Sequence, residues 1–232
     1  MPEVTIDSAD GGRFSAYLAL PRGAAGKRPG VVMMQQIFGV NSEMRGLTDF
    51  YADKGYVAIC PDLFWRLEPG VQIDPIARTD FAKAIDLVNR LDVDRAVDDL
   101  NATVAFLRAH PLCTGKIGTI GYCLGGLFAV LLAARSDTEA NISYFGVDIE
   151  KHLDDASRVA KPLMLHIPEA DRQVPPDIQA QIKQHLAGHA EIHCYPGADH
   201  AFNRAGAKTF DASVTALADR RTDDFLRKYL GD

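Results

Sequence analysis

The sequence lacks a long apolar segment, a cluster of basic residues and a Cys-x-x-Cys pair. Its apolar runs, such as residues 128–134, are far shorter than the roughly 20 residues that a helix needs to cross a bilayer. A nucleic-acid surface requires clustered lysine and arginine, whereas this chain has a formal net charge of -6. We therefore expect neither a membrane nor a nucleic acid as partner.

Cysteine is scarce, and the chain begins without the basic and apolar segments of a secretory signal. Its 232 residues include four cysteines, Cys60, Cys113, Cys123 and Cys194. In a chain of this size without a secretory signal, thiols are expected to be reduced rather than paired. We therefore expect a cytoplasmic protein.

The composition is that of an ordinary globular protein, with 47% hydrophobic and 24% charged residues. No repeat and no proline- or serine-rich linker divides the chain. Domains that alternate strands and helices commonly have about 200–250 residues. The sequence thus predicts a single α/β domain over residues 1–232.

Short β-branched segments alternate with longer amphipathic ones along the chain. The predicted strands are 14–20, 30–34, 56–60, 116–122, 142–145, 162–167 and 191–195. The predicted helices are 42–54, 74–90, 92–109, 124–134, 176–186 and about 207–230, the second opening at Asp74-Pro75. This alternation predicts a mostly parallel central sheet with helices on both faces. Sites in such sheets form beyond the carboxyl ends of the strands.

One such position carries a candidate nucleophile. Gly121-Tyr122-Cys123-Leu124-Gly125 fits the G-x-nucleophile-x-G elbow, in which a tight turn joins a strand to a helix. The positive end of the following helix favours a thiolate. For an isolated motif, a small buried cysteine in a glycine-rich turn would be the better interpretation. The predicted strand before Cys123 and the helix after it favour the nucleophile.

Two later residues complete a candidate triad. In α/β-hydrolases the nucleophile, the acid and the histidine follow in that order along the chain. Asp171 comes 48 residues after Cys123 (171 − 123 = 48), and His200 another 29 residues later (200 − 171 = 29). Each follows a predicted strand, and an aspartate there would orient the imidazole. Asp199 is the rival acid, but adjacent side chains rarely face each other, so we prefer Asp171.

The remaining histidines are weaker candidates. His189, Glu191 and His193 alternate in sequence, so a strand would place them on one face, as metal ligands would be. The spacing is not H-E-x-x-H, and we interpret these side chains as a solvated strand face, so no metal is predicted. His166 ends an apolar strand and is interpreted as a hydrogen-bonded core residue.

The sequence resembles the dienelactone hydrolase (carboxymethylenebutenolidase) family of the α/β-hydrolase superfamily. Blocks similar to those of the family lie at 36–41, 60–63, 121–126 and 197–202, and the resemblance covers roughly Ile6 to Leu226. It implies an α/β-hydrolase fold and a monomeric, cofactor-free hydrolase of lactones or activated esters. The family triad carries over as Cys123, Asp171 and His200.

An acyl-transfer mechanism also requires an oxyanion hole. One backbone N–H is expected from Leu124, directly after the nucleophile, and another from Ile37, in the loop after an early strand. Two such donors stabilise a transition state by several kcal/mol, since losing a single donor costs about 3 kcal/mol. Gln36 and Phe38 flank Ile37 and are predicted to contact the substrate.

Gln36 departs from the family, which has a glutamate here that takes part in activating the thiol. A neutral amide cannot accept a proton, so we hypothesise that His200 alone deprotonates Cys123. The substitution Gln36→Glu is then expected to change the pH profile of ester hydrolysis while activity persists. Complete inactivation of the folded variant would contradict the hypothesis.

A second departure concerns the substrate. Arg204 matches an arginine that the family uses for an acidic substrate, and a guanidinium suits a carboxylate. The family's second arginine corresponds to Phe81 here, with Arg78 one turn away. Arg204 could equally be a surface residue. The sequence therefore leaves open a carboxylate-bearing substrate and a less acidic or larger ester.

Two further hypotheses stay open at this point. A fold does not dictate a function, so the chain could be a non-catalytic ligand-binding or sensor protein on a hydrolase scaffold, and Gln36 favours that interpretation. Cys123 could instead have a redox role, with another cysteine approaching it in space. Reactivity of Cys123 toward alkylation at neutral pH would distinguish a nucleophile from a structural thiol.

Overall fold

The computed structural model describes residues 3–23, 26–77 and 80–231. The strands are β1 (Glu3–Asp7), β2 (Arg13–Ala19), β3 (Arg28–Met34), β4 (Val57–Pro61), β5 (Cys113–Tyr122), β6 (Ala140–Tyr144), β7 (Leu163–Pro168) and β8 (Glu191–Tyr195). The helices are α1 (Ser42–Asp53), α2 (Phe81–Arg90), α3 (Val93–Arg108), α4 (Leu124–Arg135), α5 (Leu153–Ala156), α6 (Pro176–His185) and α7 (Ala212–Leu230). A 3₁₀ turn, Ile149–His152, precedes α5.

The strands form one eight-stranded sheet in the order β1-β2-β4-β3-β5-β6-β7-β8. The pairs β3/β4, β6/β7 and β7/β8 are parallel, whereas β1/β2 and β2/β4 are antiparallel. Helices connect the parallel strands, because a parallel neighbour can be reached only by a crossover. The predicted α/β class with a mostly parallel sheet is confirmed.

Local sequence signals set several helix ends. Asn41 caps α1 by accepting a hydrogen bond from the Met44 N–H at 3.0 Å, and Gly55 follows the helix with a positive φ of 100°. Asp92 caps α3 in the same way. Side-chain caps satisfy amide donors that the first turn of a helix leaves without partners.

The chain divides into two compact units, Met1–Gly118 and Thr119–Asp232. In the second unit, α4 is apolar along its length, and all its residues from Leu124 to Ala133 are buried. Ser143 of β6 faces α4, because its Oγ would contact a Cβ added at Gly126. Tyr144, the next residue, hydrogen-bonds to Thr222 of α7. Since successive strand residues point to opposite faces, α4 and α7 cover opposite faces of β6. That the whole chain is one domain stays a prediction.

Two predicted helix starts are wrong. The helix expected from Asp74-Pro75 begins at Phe81, because Asp74 accepts hydrogen bonds from the N–H groups of Ile76 and Ala77 and closes a turn instead. The last helix begins at Ala212 rather than near Ala207, with Asp211 as its cap. At Asp74 the side chain competes with helical hydrogen bonding, whereas Asp211 accepts from N–H groups of the first turn and so sets the later start of the last helix.

Prediction also missed β1, the 3₁₀ turn and α5. β1 is a five-residue strand that pairs only with β2, and α5 has four residues. The 3₁₀ turn and α5 are too short to show a helical hydrophobic period, whereas in β1 Val4 and Ile6 do alternate with polar residues and the strand was overlooked. Within the described part of the chain, no helix combines the length and apolar character needed to cross a membrane.

Candidate active site

Cys123 occupies a sharp turn between β5 and α4. Its φ of 57° and ψ of -115° are unusual for a residue other than glycine. A Cβ added to Gly121 would lie 1.8 Å from the carbonyl oxygen of Gly125, so only glycine fits there. This is the close backbone approach that the glycines of the motif predict.

The segment after β6 holds this turn in place. The Cys123 N–H donates to the carbonyl of Tyr144 at 3.0 Å, and the Val147 N–H donates to the Cys123 carbonyl at 3.3 Å. A Cβ at Gly126 would lie 2.5 Å from the Cα of Gly146. These contacts hold the strained conformation of Cys123 by backbone interactions on both sides of it.

Asp171 and His200 lie on two loops joined by backbone hydrogen bonds. The loops follow the neighbouring parallel strands β7 and β8, and the Ala170 N–H donates to the Ala198 carbonyl at 2.9 Å. Asp171 Oδ2 and His200 Nδ1 are consequently 2.8 Å apart. The other oxygen, Oδ1, accepts from the Gln173 N–H at 2.8 Å. The carboxylate is held at both oxygens, and its side chain is only 1% exposed.

Asp199 contacts backbone N–H groups rather than the imidazole of His200. Its Oδ1 accepts hydrogen bonds from the N–H of His200 itself at 2.7 Å and from the Arg172 N–H at 3.4 Å. It therefore braces the backbone of the loop, while Asp171 contacts the ring. Of the two aspartates weighed from the sequence, the structure places Asp171 against the imidazole.

The Cys123 side chain hydrogen-bonds to the imidazole of His200. Because Asp171 occupies Nδ1, the Nε2 atom is the one available to sulfur. Burial alone would lower the pKa of His200, but the nearby Cys123 sulfur and the Asp171 carboxylate outweigh burial and raise that pKa to about 9. The contacts with Cys123 and Asp171 thus favour the protonated form of the His200 imidazole.

An aromatic cluster supports the imidazole. The ring of Phe145 meets the ring of His200 edge-on, with centroids 4.9 Å apart, and also contacts Phe202. Phe145 has a φ of 40°, and its N–H donates to the carbonyl of His166 at 2.9 Å. Sequence reasoning missed Phe145, because only the path of the chain after β6 brings it under the histidine.

Gln36, Ile37 and Phe38 lie in the first unit, in the buried segment after β3. The Gln36 amide donates to the carboxylate of Glu43 at 3.3 Å. Glu43 was also missed: it stands in the first turn of α1, where an acidic residue is expected to stabilise the helix. Its contact with Gln36 follows only from the turn that separates β3 from α1.

The Phe38 backbone is tied to the loop after β4. Its carbonyl accepts from the Ile73 N–H at 2.9 Å, and its ring lies 6.3 Å from that of Phe81, centroid to centroid. Phe81 is the first residue of α2. The position matching the family's second arginine is thus part of an aromatic pair.

The other predicted site residues are placed as follows. As the first residue of α4, Leu124 has an amide N–H with no acceptor within the helix. Arg204 is half-buried in the loop that carries His200. Arg78 lies outside the described residues.

The alternative histidine positions have ordinary partners. His193 Nε2 lies 2.7 Å from the Glu191 carboxylate, and His189 Nδ1 lies 3.3 Å from the Val159 carbonyl. Across residues 3–23, 26–77 and 80–231 no group of three or more His, Cys, Asp or Glu side chains could hold a metal ion. His166 is fully buried with both ring nitrogens hydrogen-bonded, which confirms its interpretation as a core residue.

A nucleophile at a strand-to-helix elbow, followed by an aspartate and a hydrogen-bonded histidine after later strands, defines the α/β-hydrolase class. The family model described as "Dienelactone hydrolase family" matches residues 14–230. The chain belongs to the dienelactone hydrolase family.

Named relatives agree with this assignment. The chain is 36% identical to a carboxymethylenebutenolidase of Pseudomonas putida, over 96% of this chain and 94% of the relative. It is 33% identical to carboxymethylenebutenolidase 1 of Cupriavidus pinatubonensis, over 96% of this chain and 95% of that protein. The protein is accordingly a hydrolase of lactones or carboxylic esters that acts on small molecules.

Solved structures show the same fold. A crystal structure from Klebsiella pneumoniae subsp. pneumoniae, of a protein assigned to the dienelactone hydrolases, is similar with a TM-score of 0.86 at 27% identity, covering 98% of both chains. A dienelactone hydrolase-like promiscuous phosphotriesterase from metagenomic libraries has a TM-score of 0.78 at 20% identity, covering 99% of both chains. The second likeness supports the fold alone.

Proposed function

We propose that the protein hydrolyses lactones or activated esters by thioester chemistry, with Cys123 as nucleophile, His200 as acid and base, and Asp171 as the residue that orients His200. The observation that carries this proposal is the hydrogen-bonded array of the three side chains at the sheet edge. We further propose that the enzyme works as a cytoplasmic monomer without metal or cofactor, and that neither a nucleic acid nor a membrane takes part.

The proposed steps use the three side chains in turn. The Cys123 thiolate attacks the carbonyl carbon, and the oxyanion is held by the Leu124 N–H, with Ile37 predicted to provide the second donor. When the C–O bond breaks, protonated His200 gives its proton to the leaving alkoxide, and a thioester remains on Cys123. Neutral His200 then takes a proton from water, the hydroxide attacks the thioester, and the acid and the thiolate are released.

Arg204 supports a finer proposal about the substrate. It is half-buried, four residues after His200 in the same loop, and a guanidinium suits a carboxylate on the acyl or lactone moiety. At the position of the family's second arginine this chain has Phe81, whose ring pairs with that of Phe38. We propose a substrate with one carboxylate and an apolar body, with Gln36 and Phe38 among its contacts.

Trapping the acyl-enzyme tests the proposal. The protein is mixed with a slowly hydrolysed ester, quenched in acid within milliseconds to seconds, and its intact mass is measured. The mass should rise by one acyl group, and peptide mapping should place that group on Cys123. Turnover with the acyl group on another residue, or with none on the protein at any quench time, would contradict thioester chemistry.

The pH dependence is expected to follow His200. Because the pKa of this histidine is raised to about 9, the imidazolium that protonates the leaving group persists through neutral pH. We therefore expect kcat/KM to stay flat across neutral pH and to fall above about pH 9, as that proton is lost. The same shift stabilises the fold below the ordinary histidine pKa of about 6.5, and this contribution disappears as the pH rises through about 9.

The measurement is kcat/KM for a p-nitrophenyl ester from pH 5 to pH 10, alongside thermal unfolding at the same values. Removing the Asp171 carboxylate takes away one of the groups that raise the pKa of His200. In Asp171→Asn, the fall in kcat/KM is therefore expected at lower pH. A descending limb near pH 6.5 in the wild-type enzyme would show that the imidazole is not stabilised in its charged form.

A further inference from the structure

Beneath the loops of the candidate site, a chain of buried polar side chains links three strands to helix α7. Its members are Tyr144 of β6, His166 of β7, Tyr195 of β8, and Asp219 and Thr222 of α7. We call these residues the His166 chain. Nothing in the catalytic steps above uses them, although the histidine and both tyrosines are buried.

The members form one continuous series of hydrogen bonds. His166 Nδ1 lies 2.7 Å from the hydroxyl of Tyr195, and Nε2 lies 3.0 Å from Thr222 Oγ1. Thr222 Oγ1 lies 2.7 Å from the hydroxyl of Tyr144, which donates to Asp219 Oδ1 at 3.3 Å. Thr222 and Asp219 are three residues apart on α7 and so lie on the same side of the helix.

The Asp219 carboxylate at one end of the series determines which group donates and which accepts in each hydrogen bond. An ionised carboxylate only accepts hydrogen bonds, so Tyr144 donates its proton to Asp219 and must accept from Thr222. Thr222, having donated its proton, must accept from the Nε2–H of His166. The Nδ1 of His166 then carries no proton and accepts from Tyr195. The Nε2–H tautomer of His166 is thereby set from the far end of the chain.

Each strand in the series carries one part of the candidate site beyond its carboxyl end. Asp171 comes five residues after His166 (171 − 166 = 5), and His200 five residues after Tyr195 (200 − 195 = 5). Phe145, which supports the ring of His200, comes directly after Tyr144. The hydrogen bonds that join Tyr144 to His166 through Thr222, and His166 to Tyr195 directly, therefore fix the mutual positions of the strands that hold the acid, the base and its aromatic support.

We propose that His166 is a positioning residue for the hydrolase, and that the directed hydrogen bonds of the His166 chain set the distance and angle between Asp171 and His200. The proposal rests on the proposed function of that pair. His166 contacts no substrate; it acts through the loops that β7 and β8 carry.

The surroundings of His166 keep it neutral. Burial, followed by the neighbouring His193 and Arg221, lowers its pKa well below the ordinary value. It faces Tyr144 from β6, Tyr195 and His193 from β8, and Thr222 from α7. Burial also raises the pKa of both tyrosines above the ordinary value. All the hydroxyl protons that the directed series requires are therefore present at working pH.

The first test reads the tautomer and needs no substrate. The intact enzyme is labelled with ¹⁵N-histidine, and the ring nitrogens of His166 are assigned by comparison with His166→Gln. We expect a neutral ring with its proton on Nε2 from pH 6 to pH 9. In Tyr144→Phe, the hydroxyl that accepts from Thr222 is gone, and Thr222 can donate to His166 instead. We therefore expect a mixture of the two His166 tautomers in this variant. A wild-type proton on Nδ1, or a tautomer unchanged by Tyr144→Phe, would overturn the proposed direction.

The second test reads catalysis in Thr222→Val, which keeps the side-chain shape and removes the hydroxyl. Loss of one buried hydrogen bond is expected to lower kcat by about 3- to 10-fold, with KM within about twofold. It is also expected to move the alkaline fall of kcat/KM to lower pH, because the contact between Asp171 and His200 loosens. The control is Thr103→Val, which removes a buried hydroxyl bonded to the Asp99 carbonyl in the first unit.

A merely structural role would lower the unfolding temperature in both threonine variants and leave kcat and the pH profile of each unchanged, which would overturn the proposal. If Thr222→Val does not fold, Tyr144→Phe is assayed in the same way, with the same criteria. A wild-type enzyme inactive on every ester and lactone would refute the proposed function, whereas the tautomer measurement would still report on the His166 chain. The two failures are therefore distinguishable.

Discussion

Replacing Cys123 by alanine is expected to lower kcat/KM for p-nitrophenyl esters and lactones by about 10⁴-fold or more, because no other nucleophile lies at the elbow. A loss of that size corresponds to about 5.5 kcal/mol of transition-state stabilisation. The small amount of hydrolysis that remains would come from the oxyanion donors and His200 acting on water. Cys123→Ser is expected to retain more activity than Cys123→Ala, since a serine hydroxyl can still act as the nucleophile when His200 removes its proton.

The matched control is Cys194→Ala, which removes another thiol of the second unit. Cys194 is a free, half-buried cysteine on β8, and it is not part of the proposed machinery. Its variant should keep kcat/KM within about twofold, since partly exposed substitutions away from a site have small effects. Iodoacetamide should inactivate the wild-type enzyme and the Cys194 variant at equal rates. Full activity in folded Cys123→Ala would exclude cysteine catalysis.

Replacing Asp171 by asparagine should give the second largest loss, about 10³- to 10⁴-fold in kcat, with little change in KM. Asparagine keeps the size of the side chain, but its amide no longer stabilises the imidazolium and can hold the histidine in the wrong tautomer. The 2.8 Å contact with Nδ1 and the near-complete burial of the carboxylate are the reasons for so large an effect. The measurement is kcat and KM on the same ester, together with the alkylation rate of Cys123.

Asp199→Asn is the control that the loop itself provides. Its Oδ1 accepts backbone hydrogen bonds from His200 and Arg172, and asparagine can still accept both. This variant should therefore stay within about threefold of the wild type, the effect of modestly weaker hydrogen bonds. The reverse result, with Asp199→Asn inactive and Asp171→Asn active, would identify Asp199 as the acid and overturn the assignment.

The elbow could be predicted from sequence because its determinants are local. Gly121 and Gly125 bracket Cys123, and a Cβ at position 121 would collide with the Gly125 carbonyl, so the turn requires glycine there. The order of nucleophile, acid and histidine could also be predicted, since it follows the order of the strands. Helix starts were harder: Asp74 closes a turn instead of opening the predicted helix, and Asp211 caps a helix whose start was predicted near Ala207.

Other parts of the site depend on residues that are distant in sequence. The sequence offered Asp171 and Asp199 as acids, and the choice between them depends on how the loops after β7 and β8 are joined. The contact of Gln36 with Glu43 and the support of His200 by Phe145 likewise require the folded chain. Hydrophobic periodicity carries no information about such pairs, because it reports burial but not the identity of the neighbour.

The sequence by itself determined the α/β class, the elbow at Cys123 and the family of this hydrolase, because each depends on short-range patterns of glycine, charge and apolar residues. The tertiary structure decided which aspartate meets His200, what raises the pKa of that histidine to about 9, and that His166 connects three strands to α7. These features arise where parallel strands bring residues from distant parts of the chain to within hydrogen-bonding distance. That proximity is set by strand order and register, which no local pattern encodes.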